Sequence, residues 1–188
     1  MLKQIPEFRK CVEITGFRNV KISNITEFLK AIDGERPENL DVQFFDAQLI
    51  ATWHHLYFAA MNALAAFKNK DSISKTVSME TLLYASAQRQ IRKATKLVGI
   101  QADSTNVAVL VVGEKPEATD AAISRISRRI NAECDNSVLE LTKEKETAIQ
   151  KAFGISEVEL QTITGKNNLE KALIDLVIER MALLVTLR

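Results

Sequence analysis

The run Asn106–Val112 (NVAVLVV) constrains the fold more than any other stretch of this sequence. Its continuous apolar, β-branched character is what a strand needs when both its faces are buried. A chain carrying such a strand must cover a sheet on two sides. Cys11–Lys21 (CVEITGFRNVK), bent at Gly16, and Asp41–Phe45 supply further strands. Helical signals fill most of the rest. Asn24 and Glu27 have capping-box spacing, and that helix ends near Asp33-Gly34, ahead of a loop at Pro37. Leu49, Trp53, Leu56, Ala60, Leu64 and Phe67 keep helical spacing over Ala47–Phe67, with Asp46 as its cap. Further helices are predicted from Ser78, over Gln88–Leu97 with Gly99 as C′ residue, and from Pro116 through Ile130. Three more are predicted over Lys143–Phe153, over Glu157–Ile163, and from a cap at Asn167 or Asn168 onward, while Val138–Leu141 is too short to assign. The expected fold class is α+β (mixed α/β): a small, mostly antiparallel sheet of about three strands packed with six or seven helices, in a single domain over residues 1–188.

Composition narrows the function classes. Twenty-five Lys plus Arg against 24 Asp plus Glu leave a net charge of +1, which excludes a wholesale polyanion binder but not a local basic patch. A 46% hydrophobic content excludes a disordered chain. No apolar run approaches the ~20 residues of a membrane-spanning helix, and Met1–Glu7 lacks the apolar core of a signal peptide. Cys11 and Cys134 form neither a disulfide framework nor a metal spacing, so a cytoplasmic location is expected, and also a nuclear one if the chain is eukaryotic.

The chain has no phosphate loop, no dinucleotide fingerprint and no serine elbow. Its two histidines, His54 and His55, are adjacent, hence ~100° apart on a helix and unsuited to sharing a metal. No catalytic residue, metal, cofactor or small-molecule substrate is expected. A small enzyme using His55 and Asp46 stays open as an alternative, although Asp46 reads better as a helix cap.

Two features stand out. Gln88–Lys96 (QRQIRKATK) holds Arg89, Arg92, Lys93 and Lys96 with no acid among them, at spacings of three and four that place much of the charge on one helix face. Gln88 and Gln90 add amides that can meet base edges or ribose. Such a face can hold phosphates, or it can be an ordinary solvated face. Arg125, Arg128 and Arg129, and Lys68 with Lys70, form smaller basic groups with the same ambiguity. The second feature is the C-terminal helix. Its polar residues Lys171, Asp175, Glu179 and Thr186 occupy one sector, and the apolar arc covers roughly two-thirds of the circumference, against a little over ~100° for a surface helix. It must be buried on two sides, by more of the same chain or by a partner, and its terminal place favours a partner. The partner-binding candidates are Ile174, Val177, Ile178, Met181 and Val185.

Several segments, in order, resemble a known family: Phe45-Asp46-Ala47; His55-Leu56 with Ala59 and Ala63; Met79-Glu80 with Leu83; Ala85–Ile91 (ASAQRQI) with Ala94 and Gly99; Asp135–Glu140 (DNSVLE); and the Lys143–Phe153 helix. Together they resemble the kinase-binding subunits of the KEOPS tRNA-modification complex from about Val42 onward. One departure is Ala87, where the family has Gly. The resemblance implies a non-enzymatic subunit that binds a small atypical kinase-like ATPase through its C-terminal region. It also implies recruitment of tRNA by its 3′ CCA end for threonylcarbamoyladenosine formation beside the anticodon. Under it, Gln88, Arg89, Gln90, Arg92 and Lys93, with His55 and Lys68, are the candidate RNA contacts, and other KEOPS subunits are reached indirectly. A structural adaptor without RNA contact is the alternative within this class.

Overall fold

The computed structural model describes residues 1–164 and 169–186, without the side chains of Thr164 and Val185. Strands β1 (Leu2–Ile5), β2 (Lys10–Phe17), β3 (Asp41–Asp46) and β4 (Val107–Gly113) form one antiparallel sheet in the order β1-β2-β4-β3. The apolar run is the inner strand β4, buried at every position as its composition requires. The sequence reading has three strands; the fourth is β1. Leu2, Lys3 and Gln4 are all exposed, so β1 carries no apolar pattern and exists through its pairing with β2.

The ladder alternates with a fixed parity. The Met1 amino group donates to the Ile14 carbonyl at 2.6 Å and Ile14 N–H returns the bond at 3.0 Å, so even-numbered residues of β2 face β1 and odd-numbered ones face β4. Gly16 lies past the end of β1, where its N–H and C=O need another partner. The Asn136 side-chain oxygen accepts from Gly16 N–H at 3.0 Å, and the Asp135 N–H donates to the Gly16 carbonyl at 2.8 Å. Part of the family-like DNSVLE segment therefore continues the sheet edge, and Asn136–Leu139 coils as a 3₁₀ turn. A Cβ on Gly16 would lie 2.4 Å from Val138 Cγ2 and 2.6 Å from the Asp135 oxygen, so only glycine fits.

Helices cover both faces. On one, α1 (Ile25–Glu35) and α5 (Pro116–Ile130) pack Ile32, Ile123 and Ile126 on Phe17, Phe44, Val109 and Val111. Asn24 caps α1 by accepting from Glu27 N–H at 3.2 Å, as its spacing predicts. On the other face, α2 (Trp53–Asn69), α3 (Val77–Ala85) and α4 (Ile91–Val98) pack Leu56, Ala60, Leu82, Leu83 and Ala94 on Val12, Ile14, Phe45 and Leu110. The stretch expected as one helix from Ala47 is instead a 3₁₀ turn, Ala47–Leu49, followed by α2. Asp46 does cap that turn, accepting from Gln48 N–H at 2.9 Å.

Outside this second layer lie α6 (Lys143–Phe153), α7 (Glu157–Thr164) and α8 (Leu169–Ala182), which ends in a 3₁₀ turn, Leu183–Val185. The cap expected at Asn167 or Asn168 lies outside the described residues. Gly99 is the C-cap of α4 rather than its C′ residue: its φ is −74°, and its value is space, because a Cβ would lie 2.6 Å from the Thr95 oxygen.

Candidate functional site

The candidate site is built on the end of α3. Ser86, Ala87 and Gln88 close that helix with two bonds, from Ala87 N–H to the Tyr84 carbonyl at 2.9 Å and from Gln88 N–H to the Leu83 carbonyl at 3.1 Å. This is a Schellman C-cap, whose C′ residue must adopt left-handed dihedrals. Ala87 does so, at φ +50°. Ala87 thus occupies the one position in this turn that glycine would fill without strain.

His55 braces the same turn from beneath. It is wholly buried, so its reading as an RNA contact is corrected: no external ligand reaches it. Its Nδ1 accepts from Ala51 N–H at 3.2 Å, which fixes the proton on Nε2, and Nε2–H donates to the Ala85 carbonyl at 2.8 Å. Burial, with a smaller push from the Lys145 charge, lowers its pKa to about 4. Both ring nitrogens are spent on backbone, and Asp46 bonds Gln48 N–H and the Ser104 hydroxyl (2.5 Å). The two residues invoked for a small enzyme are therefore not brought together to move a proton. Glu80 has a similar architectural role: its buried carboxylate accepts N–H bonds from Ile73 (3.1 Å) and Ser74 (2.7 Å) and anchors the loop before α3.

Beyond the turn, Gln88 is half-buried, while Arg89 and Gln90 are exposed in the loop before α4. They do not share the α4 face, which corrects the expectation of one helix from Gln88 to Leu97. The extended Gln90, the N-cap of α4, starts the helix at Ile91 and leaves Gln88 and Arg89 outside it. Arg92, Lys93 and Lys96 do share a face: all three are exposed and span an arc of roughly 100° on α4. None of them forms an ion pair among the described residues. The other basic groups differ. Arg129 pairs with Glu35 at 2.9 Å, and Arg125 donates to the Glu35 carbonyl, on the opposite side of the sheet. Lys68 pairs with Glu7 at 3.4 Å and lies over the Phe8 ring. It is also thirteen residues along α2 from His55, roughly 20 Å at ~1.5 Å per residue, so Lys68 does not belong to this patch.

The C-terminal helix is mostly enclosed by its own chain. Ala172, Leu173, Leu176 and Val177 pack with Ile149, Phe153 and Leu160 of α6 and α7, while Met181 and Leu184 join the buried cluster that includes α2 and α3. Val177 and Met181 are fully buried, so as partner contacts they are corrected to core residues. The second apolar side that called for a partner is met chiefly by α6 and α7, which carry too few apolar residues for the sequence to reveal them as cover. What remains is a strip: Ile174 and Ile178 half-buried, and Ala182 and Leu183 exposed, Leu183 at 41%. The side chain of Val185 lies outside the described residues. Arg89 Nη1 donates to the Leu184 carbonyl at 3.3 Å, which ties the basic loop to the end of this helix, a link the sequence does not show.

The sequence matches the family described as kinase binding protein CGI-121 over residues 17–184. It is also similar to the regulatory protein Cgi121 of Methanocaldococcus jannaschii, 33% identical over 133 residues that cover 68% of this chain and 83% of that protein. The matched span runs from the end of β2 to the turn after α8, and so takes in the α3–α4 loop, the basic face and the C-terminal helix. The chain belongs to the kinase binding protein CGI-121 family.

Proposed function

We propose that this chain is a non-catalytic regulatory subunit that binds a small kinase-like ATPase and a tRNA at once. It would serve a KEOPS-type complex that makes threonylcarbamoyladenosine. The kinase docks on the outer strip of α8, where Ile174, Ile178, Ala182 and Leu183 leave apolar surface next to a charged sector. This is the helix-in-groove mode, with anchors at a spacing of four. The tRNA lies against the loop Gln88–Gln90 and the α4 cations, with its unpaired 3′ CCA end toward the loop, since exposed single-stranded ends present reachable bases.

The observation that carries the RNA half is the unneutralised charge of Arg92, Lys93 and Lys96. What sets them apart is their grouping: three exposed cations within an arc of roughly 100° on a helix, Ile91–Val98, that carries no acid. Three neighbouring cations without one repel each other and are relieved by a polyanion. The test is tRNA binding measured across a salt series, with full-length tRNA and tRNA trimmed of its terminal CCA. The reading expects affinity that falls steeply with salt and is weaker for the trimmed tRNA. A shallow dependence, or equal affinity for both RNAs, contradicts it.

A further inference from the structure

The two edges of the sheet are built differently. The β1 edge is four residues long, carries Lys3 and ends at Pro6, devices that discourage a further strand. The β3 edge is six residues (DVQFFD) without lysine, proline or glycine. Ala47 N–H donates to the Asn106 carbonyl at 2.9 Å, so by parity Asp41, Gln43 and Phe45 bond β4, while Val42 and Phe44 point their backbone groups away from the sheet. Neither N–H, nor the Val42 carbonyl, finds a partner among the described residues. The Phe44 carbonyl accepts only the amide of the neighbouring Gln43 side chain, at 2.9 Å.

This edge is recessed. A cavity of about 280 Å³ runs along it, walled by Ile25, Leu29 and Ile32 of α1 on one side and by Ser78, Met79 and Thr95 of α3 and α4 on the other. Leu29 is 37% exposed there. We propose that the β3 edge takes an extended segment of another polypeptide as a fifth strand, with apolar residues at alternate positions facing α1 and small or hydroxyl residues between them facing α3. The unmet groups of Val42 and Phe44 repeat at the two-residue spacing of a strand, ~6.8 Å, which an extended main chain matches. Along its length a helix has no free backbone groups for them, since each is spent within the helix. A second copy of this chain is blocked, because its own β3 is flanked by the same two helices. A nucleic-acid strand finds no free cation among the described residues that line the cavity: Arg36 is committed to the Leu40 carbonyl and to Asp33 at 3.3 Å.

The probe is a soluble eight-residue peptide alternating valine and threonine between lysines, added to the full chain, with backbone amide exchange followed by NMR. Exchange at Val42 and Phe44 is expected to slow by roughly tenfold or more at saturation. Methylating the peptide nitrogens that face the edge abolishes this; methylating the alternate nitrogens does not. Leu29→Lys, at an exposed position, weakens binding at least fivefold and leaves the melting temperature in place. Equal binding by both methylated peptides, or binding without protection of Val42 and Phe44, overturns the proposal, as does the absence of saturable binding. Protection that appears on concentrating the protein alone assigns the edge to a second copy and overturns it too.

Discussion

Arg89 and Leu184 stand ninety-five positions apart in sequence, yet a guanidinium N–H of the first reaches the main-chain carbonyl of the second at 3.3 Å. The bond places a cation on the last turn of the C-terminal helix, where free carbonyls carry partial negative charge. Arg89 therefore serves two surfaces, and the α4 cations serve one. Arg92→Ala and Lys93→Ala are each expected to reduce the slope of log affinity against log salt for tRNA by about 0.7–1, with the melting temperature unchanged. Arg89→Ala should weaken tRNA binding and also speed amide exchange in the turn Leu183–Val185. Equal exchange in the Arg89 and Arg92 variants would show that the bond does not hold the turn.

Ala87 offers a gain in stability. Left-handed dihedrals cost an L-residue roughly 1–2 kcal/mol, and glycine's extra freedom when unfolded returns roughly 0.5–1 kcal/mol of that. Ala87→Gly is expected to stabilise the chain by about 0.5–1 kcal/mol, a rise of a few degrees in melting temperature for a chain of this size. Ala87→Val should lower it, because a branched side chain is worse in that conformation. Thermal melts of the three proteins decide the matter, and a melting temperature for Ala87→Gly below that of the parent contradicts the assigned geometry.

His55 makes stability pH-dependent. The folded chain holds it neutral with a pKa of about 4, mainly through burial, whereas the unfolded chain titrates it near 6.5. Between those values the unfolded state binds a proton that the folded state refuses. The contribution is complete above pH ~6.5 and is lost as the pH falls toward 4, up to about 3 kcal/mol. Denaturant titrations at pH 7 and pH 4.5 should show this loss in the parent, and His55→Gln should flatten it while lowering stability at pH 7. A parent whose stability is level across that window contradicts the buried neutral imidazole.

Gly16 admits no side chain. Gly16→Ala would drive a methyl into Val138 and the Asp135 carbonyl, and the seam between β2 and the DNSVLE turn would have to part. The expected cost is about 2–3 kcal/mol, the overpacking range, read as a lower denaturant midpoint. Gly34→Ala is the control, since nothing lies within 4 Å of its Cβ position.

The elements that a local pattern determines were legible in the sequence. The unbroken apolar run of β4, the Asn24 cap, Pro116 at the start of α5 and the span Lys143–Phe153 all sit where their chemistry puts them. What local pattern does not encode was not. Strand β1 is stabilised by a partner strand rather than by its own residues. His55 projects away from the apolar stripe of its helix, and the pattern does not reveal its burial, because its backbone partners, Ala51 and Ala85, lie four and thirty positions away. The basic segment reads as one helical face because its spacing is helical; the extended Gln90 divides it, and no residue type at that position signals the break. The apolar arc of α8 announced two buried sides but not what covers them, since α6 and α7 each supply only a few apolar residues.

The outer strip of α8 is the proposed kinase-docking surface. The direct measurement is the affinity of the full chain for its kinase-like partner by titration calorimetry, for the parent, Ile178→Glu, Leu183→Glu and Arg92→Glu. Each of the first two substitutions is expected to weaken binding by tenfold or more, at least about 1.4 kcal/mol, with the fold intact by melting, while Arg92→Glu leaves the affinity within roughly twofold. Unchanged affinity for Ile178→Glu and Leu183→Glu, with the loss falling on Arg92→Glu, would contradict this docking surface.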